Sequence, residues 1–179
     1  MFANLMMYQG KVPDSFGLSY TIPLLKGNLT SASKSLTVND FRGISISPAI
    51  SKVFENCVIA NYDSFLSTSH CQFGFKKSLS CSHVIYSVRQ IVGRYVASRS
   101  TVNLCAIDLS KAFDKMSHHG LYLKLMDRMI PNNLLSVFEH WFSICETCVR
   151  WGSSVSKFVT LKCGVRQGGV LSPHLFAVF

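Results

Sequence analysis

The stretch from Val102 to Asp108 constrains this chain more than any other, because it is an apolar run closed by a carboxylate. A strand buried on both faces of a sheet reads this way, since neither face meets water and no polar alternation is needed. Such a strand would deliver Asp108 at its C-terminal edge, and a tight turn would then place Phe113 five residues on. The surrounding elements follow from spacing. Tyr20 to Lys26 is short, β-prone and closed by a charge, which predicts a strand. Ser47-Pro48 opens a helix reaching Leu66, with Ser47 as N-cap and Pro48 at the first helical position. Ile50, Phe54, Cys57, Val58, Tyr62 and Phe65 would form its apolar face. A second helix from about Ser82 places Val84, Ile85, Val88, Ile91, Val92 and Tyr95 on one face, with Arg89, Arg94 and Arg99 off it. His119 to Met129 and Leu134 to Ile144 read as further helices, broken at Pro131-Asn132. Thr147 to Trp151 and Val155 to Leu161 flank Gly152-Ser153-Ser154 as a β-hairpin, and Ser172-Pro173 opens a last helix. Gly27 to Asn39, rich in Ser, Thr and Asn, reads as a mobile loop. Strands mixed with long helices and a hairpin predict an α+β fold.

Composition sets the outer limits. The 179 residues are 48% apolar and 15% charged, enough for a packed core and too apolar for disorder. Mean hydropathy is +0.26, which suits elements buried on several sides or a piece cut from a larger partner. Charged residues recur too often for a membrane-spanning run, and the apolar start lacks a basic segment and a small-residue cleavage site, so no membrane or secretion role is expected. Eighteen Lys and Arg face nine Asp and Glu, a net charge of +9 that favours a polyanionic partner. Seven cysteines, an odd count without a secretory signal, point to free thiols in an intracellular compartment. Cys145 and Cys148 make one C-x-x-C, but a structural zinc site needs a second pair and none has suitable spacing, so they read as core thiols at a helix end.

The chemistry-bearing residues lie in two segments. Phosphoryl transfer needs metal ions that bridge phosphate oxygens and a nucleophile held in line. Magnesium prefers oxygen ligands, and a carboxylate fixed at a strand end, such as Asp108, would be a rigid one; by itself the residue could equally cap the following turn. The second segment runs from Cys163-Gly164-Val165-Arg166-Gln167-Gly168-Gly169 to Ser172-Pro173. Paired glycines permit close backbone approach, and Gln167 could hydrogen-bond a base or sugar; alone, this is a loop before a helix.

Taken together, Asp108 to Asp114 and Gly164 to Phe176 resemble the D-x-x-x-A-F-D and G-x-x-Q-G-x-x-x-S-P-x-L-F motifs of reverse transcriptases of the non-LTR retrotransposon type. Upstream, Arg42-Gly43-Ile44-Ser45 with Ser51-Lys52-Val53-Phe54-Glu55 is similar to that family's R-x-I-S and S-K-x-x-E segment, and Gln72-Phe73-Gly74-Phe75-Lys76 to its Q-x-G-F-R segment. Four motifs in the family's order cover roughly residues 10 to 179. The resemblance implies a right-hand polymerase, with a fingers-like segment over residues 1–100 and a partial palm over 101–179. It implies that Asp108 binds catalytic magnesium with help from the Leu109 carbonyl, two ions acting in the complete enzyme. Lys26 and Arg42 would hold the triphosphate of a deoxynucleoside triphosphate, Arg bidentately and Lys as a point charge. Phe113 would stack under the incoming sugar and disfavour a 2′-OH, and Gln167 and Gly168 would line the nucleotide pocket. Gln72, Gly74, Phe75 and Lys76 would contact the template. The partners implied are an RNA template and a DNA primer. Asp114 reads as structural, and His118 and His119 as solvent or turn residues.

Three features depart from the family pattern. Arg166 stands where many relatives have Pro, a cation compatible with a nucleic-acid channel; Lys76 stands where Arg is commoner, keeping charge without bidentate geometry. The family's aromatic-x-Asp-Asp hairpin and the thumb find no counterpart, and no Asp or Glu follows Glu146. The isolated chain is therefore expected not to polymerise. The alternatives are a non-catalytic nucleic-acid-binding remnant with the same fold elements, and a basic scaffold with no nucleotide site.

Overall fold

The computed structural model describes residues 2–27 and 35–179, and mixes helices with one twisted sheet. Elements follow in the order α1 (Phe2–Gln9), α2 (Asp14–Gly17), β1 (Leu18–Leu25), a 3-10 turn (Val38–Asp40), β2 (Phe41–Ile46), α3 (Ala49–Leu66), α4 (Cys81–Ala97), α5 (Ala112–Lys115), α6 (His118–Asp127), α7 (Asn132–Ser143), β3 (Glu146–Trp151), β4 (Ser154–Val155), β5 (Val159–Thr160) and α8 (Ser172–Val178). This is the α+β class that the sequence predicts. The expected loop at Gly27 to Asn39 falls mostly on residues 28–34, outside the described residues. At its end the Thr37 amide donates to the Asp40 carboxylate at 2.7 Å, which starts the 3-10 turn.

β1 is the centre of the sheet. It pairs antiparallel with β2, from Tyr20↔Ile46 to Leu25↔Phe41, and parallel with β3, from Leu18↔Glu146 to Thr21↔Val149. Pro23 has no amide to donate, and it sits beyond the last β3 partner, where β1 has a neighbour on one edge only. β3 turns back on itself through β4 and β5, the predicted hairpin. The sequence reading assigned no element to Phe2–Gln9 or to β2. β2 escaped it because Phe41-Arg42-Gly43-Ile44-Ser45-Ile46 carries a glycine and a cation and lacks clean alternation.

The core lies between α3, α6, α7 and α8. α7 buries Leu134, Val137, Phe138 and Trp141. Phe16, Phe54 and Trp141 meet in a tilted aromatic trio with centroids 5.7 to 6.1 Å apart, and the Trp141 indole N–H donates to the Phe16 carbonyl at 3.0 Å. α3 begins one residue after the proline expected to open it, with Pro48 as the cap. Its buried stripe is Ser51, Phe54, Glu55 and Val58, a helical i, i+3, i+4, i+7 series rotated from the predicted one. Ile50 faces solvent and Glu55 faces inward, because the loop before α8 supplies backbone donors to that carboxylate.

Two expectations are corrected. Val102 to Asp108 forms no strand: residues 101–109 have no regular structure, and Ile107 is 86% exposed. A strand buried on both faces needs a hydrogen-bonded neighbour and a covering layer, and no described strand pairs with this segment. α4 forms as predicted, capped by Ser80 and His83, but its apolar face is uncovered; Ile91 is 54% exposed and no residue of the helix is buried. The face has the right period and no described element lies against it.

What places the site is the junction of α5 with the loop before α8. The Gly164 amide donates to the Met116 carbonyl at 2.7 Å, and the Val165 amide to the Phe113 carbonyl at 2.8 Å. Gly164 has φ +82°, and a β-carbon there would lie 2.8 Å from the carbonyl oxygens of both Phe113 and Asp114. Only glycine supplies that conformation without strain at that separation.

Chemical denaturation should order four substitutions in two pairs. Leu134→Ala is expected to cost about 2–5 kcal/mol because the side chain is wholly enclosed, whereas Ile91→Ala should stay within about 0.5 kcal/mol. Gly164→Ala should cost more than about 2 kcal/mol, while Gly93→Ala, in mid-α4 with nothing near its β-position, should stabilise by about 0.5–1 kcal/mol. An inverted order at either pair would contradict the packing described.

Candidate nucleotide-binding cleft

Lys26 closes β1, and Arg42 stands near the start of β2, paired across the ladder with Leu24. The antiparallel register therefore brings two cations to the same end of the sheet. The Lys26 amide donates to the Asp40 carbonyl at 2.9 Å, and its ammonium to the Asn39 carbonyl at 2.8 Å. The Arg42 side chain makes no hydrogen bond or ion pair with another described residue. Both side chains line an open cleft of about 910 Å³. Leu109, Phe113 and Gln167 line the same cleft, and so do Phe41 and Trp151, a T-shaped pair with centroids 5.5 Å apart.

Each wall residue is held by a different device. Phe113 lies in α5, one turn long, which follows Lys111 in the left-handed conformation at φ 54°. Its ring stacks on Phe176 of α8 at 4.7 Å and meets the edge of Phe75 at 5.8 Å. The aromatic cluster thus joins three of the motif segments read from the sequence. Gln167 is held by its backbone: its carbonyl accepts from the Ser45 amide of β2 at 2.7 Å, leaving the side chain free of described partners. Gly168 follows with φ +124°, and a β-carbon there would stand 2.6 Å from the Ser45 carbonyl oxygen. Turn and strand are in backbone contact that no larger residue permits.

The remaining predicted site residues stand elsewhere. Asp108 is exposed, makes no hydrogen bond or ion pair with a described residue, and is not in the cleft wall, although Leu109 beside it is. Gln72, Gly74, Phe75 and Lys76 lie in the turns between α3 and α4, outside the cleft. Phe75 packs behind Phe113, and the Lys76 ammonium is engaged by the Ser69 carbonyl.

Two readings of single residues are corrected. Arg166 does not face a nucleic-acid channel. Its guanidinium turns inward, donating to the Phe16 carbonyl at 2.8 Å, to the Gly17 carbonyl, and to Cys145 Sγ at 3.4 Å. Those carbonyls end α2 and have no helical partner of their own, which makes them strong acceptors for a half-buried cation. His118 is neither a solvent nor a turn residue: it opens α6, its Nε2 lies 2.7 Å from the Gly164 carbonyl oxygen, and its ring stacks on Phe142 at 4.6 Å.

Sequence reasoning missed Lys111 and Trp151, which share the cleft wall, and gave no role to Glu55, the buried last residue of the Ser51 to Glu55 segment. Lys111 lay within the Asp108 to Asp114 segment and was passed over because the family pattern leaves that position open. Glu55 carried a signal, a carboxylate inside an otherwise apolar helical stripe. It is 4% exposed, and burial pushes its carboxyl above the usual carboxylate range, partly offset by the amides of Leu171 and Val170 and the charge of Arg166.

Oxygen donors at Asp108 and the Leu109 carbonyl suit magnesium chemically. Among the described residues, however, no group of three His, Cys, Asp or Glu could hold a metal ion, so they do not make a two-ion site. Cys145 and Cys148 are both buried, Cys145 just past α7 and Cys148 on β3, and all seven cysteines are free. Burial pushes the Cys145 thiol up, which keeps it protonated. No described helix is long and apolar enough to cross a membrane.

Comparison with known proteins agrees with the motifs. The family model described as reverse transcriptase (RNA-dependent DNA polymerase) matches residues 27–179. The chain is 29% identical to the probable RNA-directed DNA polymerase from transposon X-element of Drosophila melanogaster, over 78% of this chain and 16% of that protein. It is 26% identical to the RNA-directed DNA polymerase from mobile element jockey of Drosophila funebris, over 98% of this chain and 19% of the relative. A retrovirus-related Pol polyprotein from the type-2 retrotransposable element R2DM of Drosophila melanogaster is 26% identical over 97% of this chain and 16% of its own length. The chain thus spans less than a quarter of the length of these relatives. With its four motifs in order and a family match over most of its length, the chain belongs to the reverse transcriptase (RNA-dependent DNA polymerase) family, on the side of the non-LTR retrotransposons.

Proposed function

We propose that this chain is the fingers and partial palm of an RNA-directed DNA polymerase, and that its cleft receives the incoming deoxynucleoside triphosphate. One observation supports this above the others: Lys26, Arg42, Phe113 and Gln167, drawn from motifs far apart in sequence, line one cleft. Two cations on one side suit a triphosphate, whose charge they offset. An aromatic ring and a free carboxamide in the same cleft suit a sugar and a base. Residues 1–100 would carry the fingers-like part and 101–179 the partial palm, with the template reaching Gln72, Gly74, Phe75 and Lys76 and with Gly168 letting the nucleotide approach the backbone. The net charge of +9 suits an RNA template and a DNA primer. Free thiols throughout suit a reducing intracellular compartment.

Asp108, with the Leu109 carbonyl, would hold magnesium, which supplies charge neutralisation at the transferring phosphate when bound. One carboxylate and one carbonyl are too few ligands to complete a two-ion site. Asp108 standing outside the cleft wall favours, as a second reading, a binding remnant without turnover.

Two measurements separate the readings. In the chain itself, Lys26→Glu with Arg42→Glu should weaken magnesium–deoxynucleoside triphosphate binding by at least about tenfold, followed through Trp151 fluorescence, while Lys124→Glu on α6 should not. Unchanged affinity would leave only the basic scaffold. In a polymerase that carries this segment at the length of its relatives, Asp108→Asn should abolish primer extension while nucleotide affinity stays within about threefold, and Phe113→Val should raise ribonucleotide incorporation. Retained extension with Asp108→Asn would remove that residue from the mechanism.

A further inference from the structure

The turn that offers Gln167 to the cleft, with Gly168 next to it, is gripped on both sides from inside the protein. On the upstream side, the half-buried Arg166 reaches across with its guanidinium to the carbonyls that end α2 and to Cys145 Sγ. On the downstream side, Glu55 Oε2 accepts from the Leu171 amide at 2.7 Å. The Gly169 amide donates to the Arg166 carbonyl at 3.1 Å and closes the turn between the two anchors. A β-carbon at Gly169 would lie 3.3 Å from Glu55 Oε2 and 2.5 Å from Ser172 Oγ, so the carboxylate sits directly under the turn.

A carboxylate in this position is costly unless its oxygens are fully engaged. Glu55 occupies the middle of the α3 stripe, between Phe54 and Val58, where an apolar residue would pack at less cost. The reward is directional. Charge-assisted bonds to backbone amides are short and oriented, which a methyl group cannot reproduce. The Glu55 grip also pins the start of α8, whose Phe176 stacks on Phe113. One side chain on α3 therefore bears on both the Gln167 turn and, through α8, Phe113, without lining the cleft.

We propose that Glu55 is a positioning residue, which holds the loop before α8 and, with Arg166, sets the Gln167–Gly168 turn against β2 for nucleotide binding. The nucleotide part rests on the reading of the cleft given above; the placement of the turn does not.

The experiment reads both parts in the same chain. Amide hydrogen exchange at Ser45, which donates to the Gln167 carbonyl, reports where the turn sits, with the amides of α7 as the measure of global stability. Titration with magnesium–deoxyguanosine triphosphate reports the cleft. Glu55→Ala is expected to cut Ser45 protection, relative to α7, by at least about tenfold and to weaken nucleotide binding by a similar factor. Glu55→Gln retains an acceptor oxygen and should keep both within about threefold of the parent chain. Should Glu55→Ala fail to fold, Glu55→Asp, whose shorter side chain draws the oxygens away from the Leu171 amide, is expected to give the same loss. Ser45 protection that falls only in step with α7 in Glu55→Ala and Glu55→Asp would overturn the proposal. A parent chain that binds no nucleotide would sink the cleft reading alone, and Ser45 exchange would still decide the role of Glu55.

Discussion

A short set of backbone hydrogen bonds from one loop holds the site together. Residues 164–167 donate to α5 through Gly164 and Val165 and accept from β2 through the Gln167 carbonyl. The loop thereby stitches the sheet that carries Lys26 and Arg42 to the turn that carries Phe113. Main-chain bonds do this with little side-chain entropy to lose, but they demand close approach. That demand accounts for glycine at 164 and 168, where a β-carbon would meet carbonyl oxygens at 2.6 to 2.8 Å. The cleft is in this sense a property of backbone geometry, and its cations and aromatics are mounted on it.

The same molecule leaves a long apolar surface uncovered. The outward face of α4 and the segment after it, through Leu104, Ile107 and Leu109, are largely exposed. Patches of that extent on a monomeric protein normally meet another surface. The high mean hydropathy has its physical origin here as well as in the core. By contrast, the region around α7 is closed: aromatic, aliphatic and indole groups interlock, and a half-buried arginine satisfies the carbonyls at the end of α2. Order in the fold thus runs from a dense centre at Phe16, Phe54, Phe138 and Trp141 to an unpartnered side at α4.

Helices and the hairpin were legible because their signals are local. The periodicity of α6 and α7, the Pro131 break, the Gly152 turn and the Ser-Pro opening of α8 each act within a few residues. Readings failed where the outcome depends on a neighbour. Residues 102–108 have a buried strand's composition, but no described strand pairs with them. α4 has an amphipathic pattern but no surface to bury it. The α3 stripe turned so that Glu55 points inward, which hydropathy alone ranks as wrong and a nearby pair of amides makes right.

Local sequence alone determined the α+β class, the four ordered motifs, the family and the identity of the cleft residues Lys26, Arg42, Phe113 and Gln167, because residue type and short-range spacing carry that information. Only the tertiary structure decided that these four share one cleft, that Arg166 and Glu55 serve the interior, that Gln72 to Lys76 stand behind the cleft, and that Asp108 lies at its margin. Those outcomes depend on which distant amide, carbonyl or ring each side chain meets, and a one-dimensional pattern does not encode the direction in which a side chain finds its partner.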